Sequence, residues 1–504
     1  MGLGRNLGEV DVRTCFAQYH APTVSVVARV TIDMLPDIAL LRIFDFYLVE
    51  ARIGRMWFNL ETVETWSALV HVCQKWRNVV FGSPRCLDLR LFYTTDTPVS
   101  EMFDIWPLLP IAMRVRVEGG WSNSLAYDII AELDEYNDRI YSIILWRFSS
   151  WPLDKVLAAM QQPFPGLKSL YLHCSSAQAV VVPASFLGGS AQSLQSLAMH
   201  GFEFPVLGLT KLLLSATHLV RLRLGSIPHS GYISPKAMAT CPSVLIRLEN
   251  LAITFKSPQS RPDHKIQRPP SPACILPVLT ELHIKGASEY LDDLVARIDA
   301  PMLDNLEITF VHQLIFDNPH LTQFISHTPK FKSPGEMRVV FSKWHVSVTL
   351  GFPQTLNGML DLKIRCCQSD LQFSSLAQVC SSSFPQPLIL AVEHLYIQDR
   401  PSLQRHWESE IKSSQWLELL RQFTSVKSLY ISQEFTPHIV SALQEIVGER
   451  VTEVLPALEN LFLEDPHPSG PVWNIIEQFV ASRQFASHPI VVSRWQNPVA
   501  NIMV

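Results

Sequence analysis

From about Arg139 onward the chain repeats one arrangement: an apolar residue, two unrestricted positions, an apolar residue, one unrestricted position and a third apolar residue. The matches are Ile140-Ile143-Leu145, Leu167-Leu170-Leu172, Leu194-Leu197-Met199, Leu219-Leu222-Leu224, Leu248-Leu251-Ile253, Leu279-Leu282-Ile284, Leu303-Leu306-Ile308, Met359-Leu362-Ile364, Val392-Leu395-Ile397, Val426-Leu429-Ile431 and Leu458-Leu461-Leu463. A degenerate candidate runs from Met337 to Phe341. The middle residues Ile143, Leu170, Leu197 and Leu222 are spaced by 27, 27 and 25 residues, and the 56 residues between Leu306 and Leu362 leave room for two units. Self-similarity at such a period predicts a solenoid, in which each unit buries its apolar face on its neighbours.

Each unit reads as a strand followed by a helix. The segment "PGLKSLYLH" alternates with period two, whereas "WPLDKVLAAM" and "EYLDDLVARI" have helical spacing. The period is that of leucine-rich repeats, stretched toward the C-terminus. Regular leucine-rich repeats place Asn or Cys three residues past the last strand position; here those positions hold Ser175, Phe202, Ile227 and Val311. Without that buried ladder the turns are expected to be uneven, giving an irregular arc with variable helices. A doubly wound parallel α/β fold is the competing architecture, but its strands read as continuous apolar runs, and these alternate.

Alternation sets the residues between the strand leucines opposite the core, on the concave face of such an arc. Tyr171, His173, Arg221, Arg223, His283, Lys285, Glu307, Tyr396, Tyr430 and Phe462 occupy these positions and are the candidate target-binding face. Aromatic residues and Arg dominate protein-recognition hot spots. Between two repeats, "SPQSRPDHKIQRPPSP" mixes prolines with basic residues and is expected to loop out as an insertion over about 257–276, either tolerated or regulatory.

The N-terminal pattern is different. "MLPDIALLRIFDFYLV" and "ETWSALVHVCQKWRNVVF" are helical stretches with more apolar surface than a unit of this size hides. Leu35-Pro36, Ile38, Leu41 and Ile43-Phe44, followed by Val70, Cys73, Trp76 and Arg77, resemble the F-box, with its opening Leu-Pro and closing Val-Cys-x-x-Trp-Arg. Asp37 stands near the place where that family usually has Glu, and Glu50 to Val63 looks inserted. The plain alternative is an ordinary helical hairpin over residues 31–81. The expected organisation is a flexible tail (1–30), an F-box with its connecting segment (31–95) and a leucine-rich-repeat-like solenoid (96–504).

The resemblance implies binding of a Skp-family adaptor and, through it, a cullin. It also implies the role of substrate receptor in a cullin-RING (SCF-type) ubiquitin ligase, an arrangement frequent in fungal lineages. Ubiquitin chemistry would then belong to other subunits, with the arc capturing an unknown protein substrate. A recognition scaffold outside any ligase is the main rival; a more distant one is an α/β enzyme with an unrecognised site.

Composition narrows these readings. The 504 residues exceed one compact core, and charged residues make up 17% against 47% hydrophobic, ample for a continuous core. A net charge of −5 without a long basic stripe gives no support to nucleic-acid binding. Nine scattered cysteines without a C-x-x-C pair suggest a reducing compartment, cytoplasmic or nuclear, and no stretch has the length of a membrane span. The 17 histidines stand at no metal-ligand spacing, and phosphate loops, nucleophile elbows and H-E-x-x-H are missing, so neither catalysis nor a cofactor is expected.

Overall fold

The computed structural model describes residues 34–53, 65–93 except 85 and 88, 109–116, 123–257 except 177, 242 and 243, 274–311, 316–351 except 333, 358–400 except 367, 412–446, 450–464 and 471–496. The expected tail, residues 54–63 of the expected insertion and residues 258–273 of the Pro-rich segment lie outside these. The chain divides after Leu89 into two compact units.

The first unit holds α1 (Asp37–Ile53), α2 (Thr65–Val70) and α3 (Gln74–Gly82). Pro36 stands just ahead of α1, and Asp37 opens its first turn, where a carboxylate suits the helix dipole. Leu40, Phe44 and Leu48 recur every four residues and are buried, forming one stripe. The helix continues to Ile53, so the first residues of the expected insertion extend it. The Cys73 sulfur accepts the Trp76 N–H at 3.5 Å and caps α3, and Lys75 Nζ donates to the Leu35 carbonyl at 2.8 Å. The Phe44 and Trp76 rings pack with centroids 4.7 Å apart.

The second unit is built on a 16-stranded sheet. Its strands are β1 (Leu91–Tyr93), β2 (Ile111–Arg116), β3 (Ile140–Phe148), β4 (Ser169–Cys174), β5 (Ser196–His200), β6 (Arg221–Ile227), β7 (Asn250–Phe255), β8 (Glu281–Gly286) and β9 (Asn305–Val311). There follow β10 (Glu336–Phe341), β11 (His345–Leu350), β12 (Met359–Arg365), β13 (His394–Asp399), β14 (Ser428–Ile431), β15 (Asn460–Glu464) and β16 (Val491–Trp495). The sheet starts at Leu91, two strands ahead of Arg139 and ahead of the expected boundary at residue 96. The motif does not mark β2 because Pro110 stands where its leading apolar residue would be.

Strands β1 to β9 lie side by side in chain order and in parallel. Sequential order is the topology of a stack of strand-first units rather than of a doubly wound sheet. Two apolar rows cross it: Leu170, Leu197, Leu222, Leu251, Leu282 and Leu306 pair in one, and Leu172, Met199, Leu224, Ile253, Ile284 and Ile308 in the other. Buried residues of α4 (Asn123–Glu135), α5 (Ser150–Ala159), α6 (Val206–Ser215), α7 (Pro235–Thr240) and α8 (Ser288–Val295) join these rows in one core. At the positions of the missing Asn ladder, Phe202, Ile227 and Val311 are buried, so apolar side chains fill the turns. Arg147 (φ 63°) and Ser226 (φ 49°) are left-handed where the register slips, which brings Phe148 and Ile227 back to the buried side.

After β9 the order changes to β12, β11, β10 and then β13 to β16. Strand β11 is antiparallel to both its neighbours, so a three-strand meander occupies the space expected to hold two repeats. The apolar rows continue through it: Leu306, Leu360, Leu350, Met337 and Leu395 pair in succession, as do Ile308, Leu362, Val348, Val339 and Ile397. Reversing a strand leaves its in-out alternation intact, so the core accepts the meander. The expected alignment of Leu362 with Leu306 is off by two residues, since Leu360 takes that place.

The crossover from β9 to β10, carrying α9 (Pro319–His327), and that from β12 to β13, carrying α10 (Ser369–Ser382) and α11 (Gln386–Leu390), each step over two strand positions. Thr322 Oγ1 donates to the carbonyls of Ser382 and Ser383 at 3.1 and 3.2 Å, tying the crossovers together. Beyond them lie α12 (Ser413–Leu420), α13 (Thr436–Gln444) and α14 (Pro471–Phe485).

Candidate functional site

Two surfaces stand out, one in each unit. On α1, opposite the buried stripe, Ile38 is 72% exposed and Phe46 73%, with Ile43 and Tyr47 at 47% and 44%. At 100° per residue these four fall within one half of the helix circumference. For a unit of this size that is a large uncovered apolar surface.

The ten residues singled out from the sequence divide over this unit. Ile38, Ile43, Pro36 and Arg77 are exposed, and Leu35, Leu41, Cys73 and Trp76 are partly buried. Phe44 and Val70 have no exposed surface, which corrects their assignment as adaptor contacts: they hold the unit together from inside. Cys73 serves as a helix cap, and Arg77 Nε donates to the Val70 carbonyl at 3.1 Å.

On the second unit the open strand face carries all ten sequence-predicted candidates, each alternating with buried core residues. They fall into three groups. The first gathers Tyr171 and His173 with two residues missed from the sequence, Trp146 and His200. Trp146 stacks on Tyr171 and His173 with centroids 5.4 and 5.8 Å apart, and His200 lies 5.9 Å from His173. Burial, aided by the neighbouring His173 and Arg223, pushes the His200 imidazole down to about 4.

The central group is ionic and surrounds a depression of about 310 Å³ lined by His200, Arg223, Asn250, Glu281, His283 and Glu307. Arg223 Nε donates to Asn250 Oδ1 at 3.3 Å, and Asn250 Nδ2 donates to the Glu281 carboxylate. Glu307 holds the His283 ring at 2.9 Å on one oxygen and Lys363 at 2.7 Å on the other. The hydrogen bond from His283, followed by that from Lys363, overcomes the effect of burial and holds the Glu307 carboxyl at about 2. Arg221 is exposed at the edge of this group, and Lys285 is half-buried beside it.

The third group is a stack crossing four strands. Arg338 lies over Tyr396 at 5.5 Å, Tyr396 stacks on Tyr430 at 4.2 Å, and Tyr430 on Phe462 at 4.4 Å with planes 4° apart. Parallel register puts Arg338, Tyr396, Tyr430 and Phe462 in one row. Trp495 brings its ring to 5.6 Å from Tyr430. Arg338 was missed because its strand matches the motif poorly, and Trp495 because β16 follows the last match; the alternation that found Tyr396 would have found Arg338 too.

Among the described residues no group of three or more His, Cys, Asp or Glu side chains could hold a metal ion, and no helix is long and apolar enough to cross a membrane. The groups on the open face are engaged with one another in ion pairs and ring stacks, an arrangement suited to recognition.

No protein-family model matches this chain, and no curated protein matches it. A solved structure similar to it is that of the leucine-rich repeat-containing protein LegL7 from Legionella pneumophila, at 13% identity and a TM-score of 0.27, covering 77% of this chain and 97% of that one.

Proposed function

We propose that this protein is a substrate-recognition subunit of a cullin-RING ubiquitin ligase. Its N-terminal unit is an F-box that docks on a Skp-family adaptor, and its strand-helix array is a leucine-rich-repeat-type domain whose open face takes the target protein. The observation that carries this reading is the uncovered apolar half of α1, on a unit whose sequence resembles the F-box and whose own core is already filled by Leu40, Phe44 and Leu48. Such a surface is stable in water when a partner covers it. The contribution to catalysis is proximity: target and ubiquitin-charged enzyme are held together while the chemistry belongs to other subunits.

The test is capture of a purified Skp-type adaptor by the full chain, compared with the Ile38→Asp, Phe46→Asp double variant. Both residues are exposed, so the variant is expected to keep its fold and to lose binding by about tenfold or more. Equal capture by both proteins would refute adaptor docking through α1. A second reading, an interaction scaffold outside any ligase, is favoured by the open face itself, which needs nothing from the first unit to present its aromatic and ionic groups. Adaptor capture without a cullin in the complex would select it.

A further inference from the structure

On the open face, strand pairing sets Lys285, Thr309 and Lys363 in one row across β8, β9 and β12. Arg365 follows two residues along β12, opposite Val311 on one side and His345 on the other. The carboxylates of this neighbourhood are Glu307 and Asp361, and all four of their oxygens are occupied. Glu307 holds Lys363 and His283. Asp361 accepts Thr349 Oγ1 at 3.2 Å on one oxygen and Lys363 at 2.9 Å on the other.

Neither Lys285 nor Arg365 makes an ion pair with a carboxylate among the described residues. Lys285 is half-buried, and burial, followed by the positive charge of Arg365, lowers its ammonium from the usual lysine range. His345 is also lowered, by burial and then by Arg400, Lys363 and Arg365. Thr309 and Ser347 are largely buried in the same row of the sheet. Half-burying the Lys285 ammonium without a counter-charge is costly, and an anion held between it and the exposed Arg365 relieves that cost.

We infer that Lys285 and Arg365 form the seat for an acidic group of the target protein, an oxyanion carried by a carboxylate or a phosphorylated side chain. The inference deepens, and rests on, the reading of the open face as a recognition surface. Charge complementarity selects this occupant: among the described residues the seat offers two cations without an ion-pair partner, and Glu307 and Asp361 are already engaged. The depression lined by Arg223, Glu281 and Glu307 is not the seat, because Arg223 and Glu281 are already hydrogen-bonded to Asn250 and Glu307 already holds His283 and Lys363.

The experiment is a calorimetric titration of the full chain with inorganic phosphate and, separately, with acetate, at constant ionic strength. Saturable binding of either anion is expected, weakened by about tenfold or more in Lys285→Met and in Arg365→Gln. Arg365 is exposed, so its variant tests the seat even if Lys285→Met disturbs folding. Arg450→Gln, which removes a surface cation paired with Glu453, is expected to bind like the unaltered chain. Tighter binding of phosphate would assign a phosphorylated group, and acetate binding at least as tight would assign a carboxylate. Flat titrations with both anions, undiminished binding in both seat variants, or equal weakening in Arg450→Gln would each overturn the seat. No protein partner takes part, so that failure leaves the recognition reading to the adaptor experiment.

Discussion

His200 and Gly225 show how single residues shape the open face. The two are paired across β5 and β6, and a Cβ on residue 225 would fall on the imidazole, so the glycine gives the ring its place. Packed there, the ring protonates only at about 4, against 6.5 for a free histidine. Between those values the unfolded chain binds more protons than the folded one, so the contribution to stability is present above pH 6.5 and is lost as pH falls toward 4. Stability in urea is predicted to fall over this window by up to about 2–3 kcal/mol, and His200→Gln is expected to flatten that part of the pH dependence. An unchanged slope in the variant would rule out His200 as its source. Nothing in the sequence near His200 signals this; its environment comes from Tyr171, His173 and Arg223 on neighbouring strands.

At the scale of elements, the meander is where the repeat reading broke. The segment "EMRVVFSKWHVSVTL" alternates cleanly, but alternation carries no direction, and Lys343-Trp344 is not a pair that announces a tight turn. The turn is held instead by Ser342, whose hydroxyl accepts the backbone N–H of His345 at 3.1 Å and that of Trp344 at 3.4 Å. Ser342→Ala is predicted to destabilise the protein by about 1–2 kcal/mol, because a buried acceptor of two turn amides is removed. Faster amide exchange at Trp344 and His345 would accompany that loss, and an unaltered melting temperature would mean that the crossovers alone hold the meander. The two-residue offset at β12 has the same origin: a strand entering after an antiparallel neighbour is aligned by the apolar rows, not by the spacing of a parallel repeat.

For the whole molecule, the division of labour between core and surface gives a paired prediction. Leu222 is fully buried in one of the two apolar rows, whereas Phe46 is 73% exposed on α1. Leu222→Ala is expected to cost about 2–5 kcal/mol in thermal unfolding of the sheet unit, and Phe46→Ser to change stability by no more than about 0.5 kcal/mol. A harmless Leu222→Ala would contradict the core described here. The sequence by itself determined the strands that carry the motif, the face that each one buries and the polar face that it leaves open, because side-chain direction in a strand follows from position alone. It also marked α1 as having more apolar surface than its own unit covers. Only the tertiary structure decided that β10 to β12 fold back as a meander, that Phe44 and Val70 belong inside, and that Lys285 and Arg365 have no ion-pair partner among the described residues while Lys363 serves two carboxylates. Those outcomes depend on which strand lies beside which, and neighbours distant in the chain leave no local pattern to read.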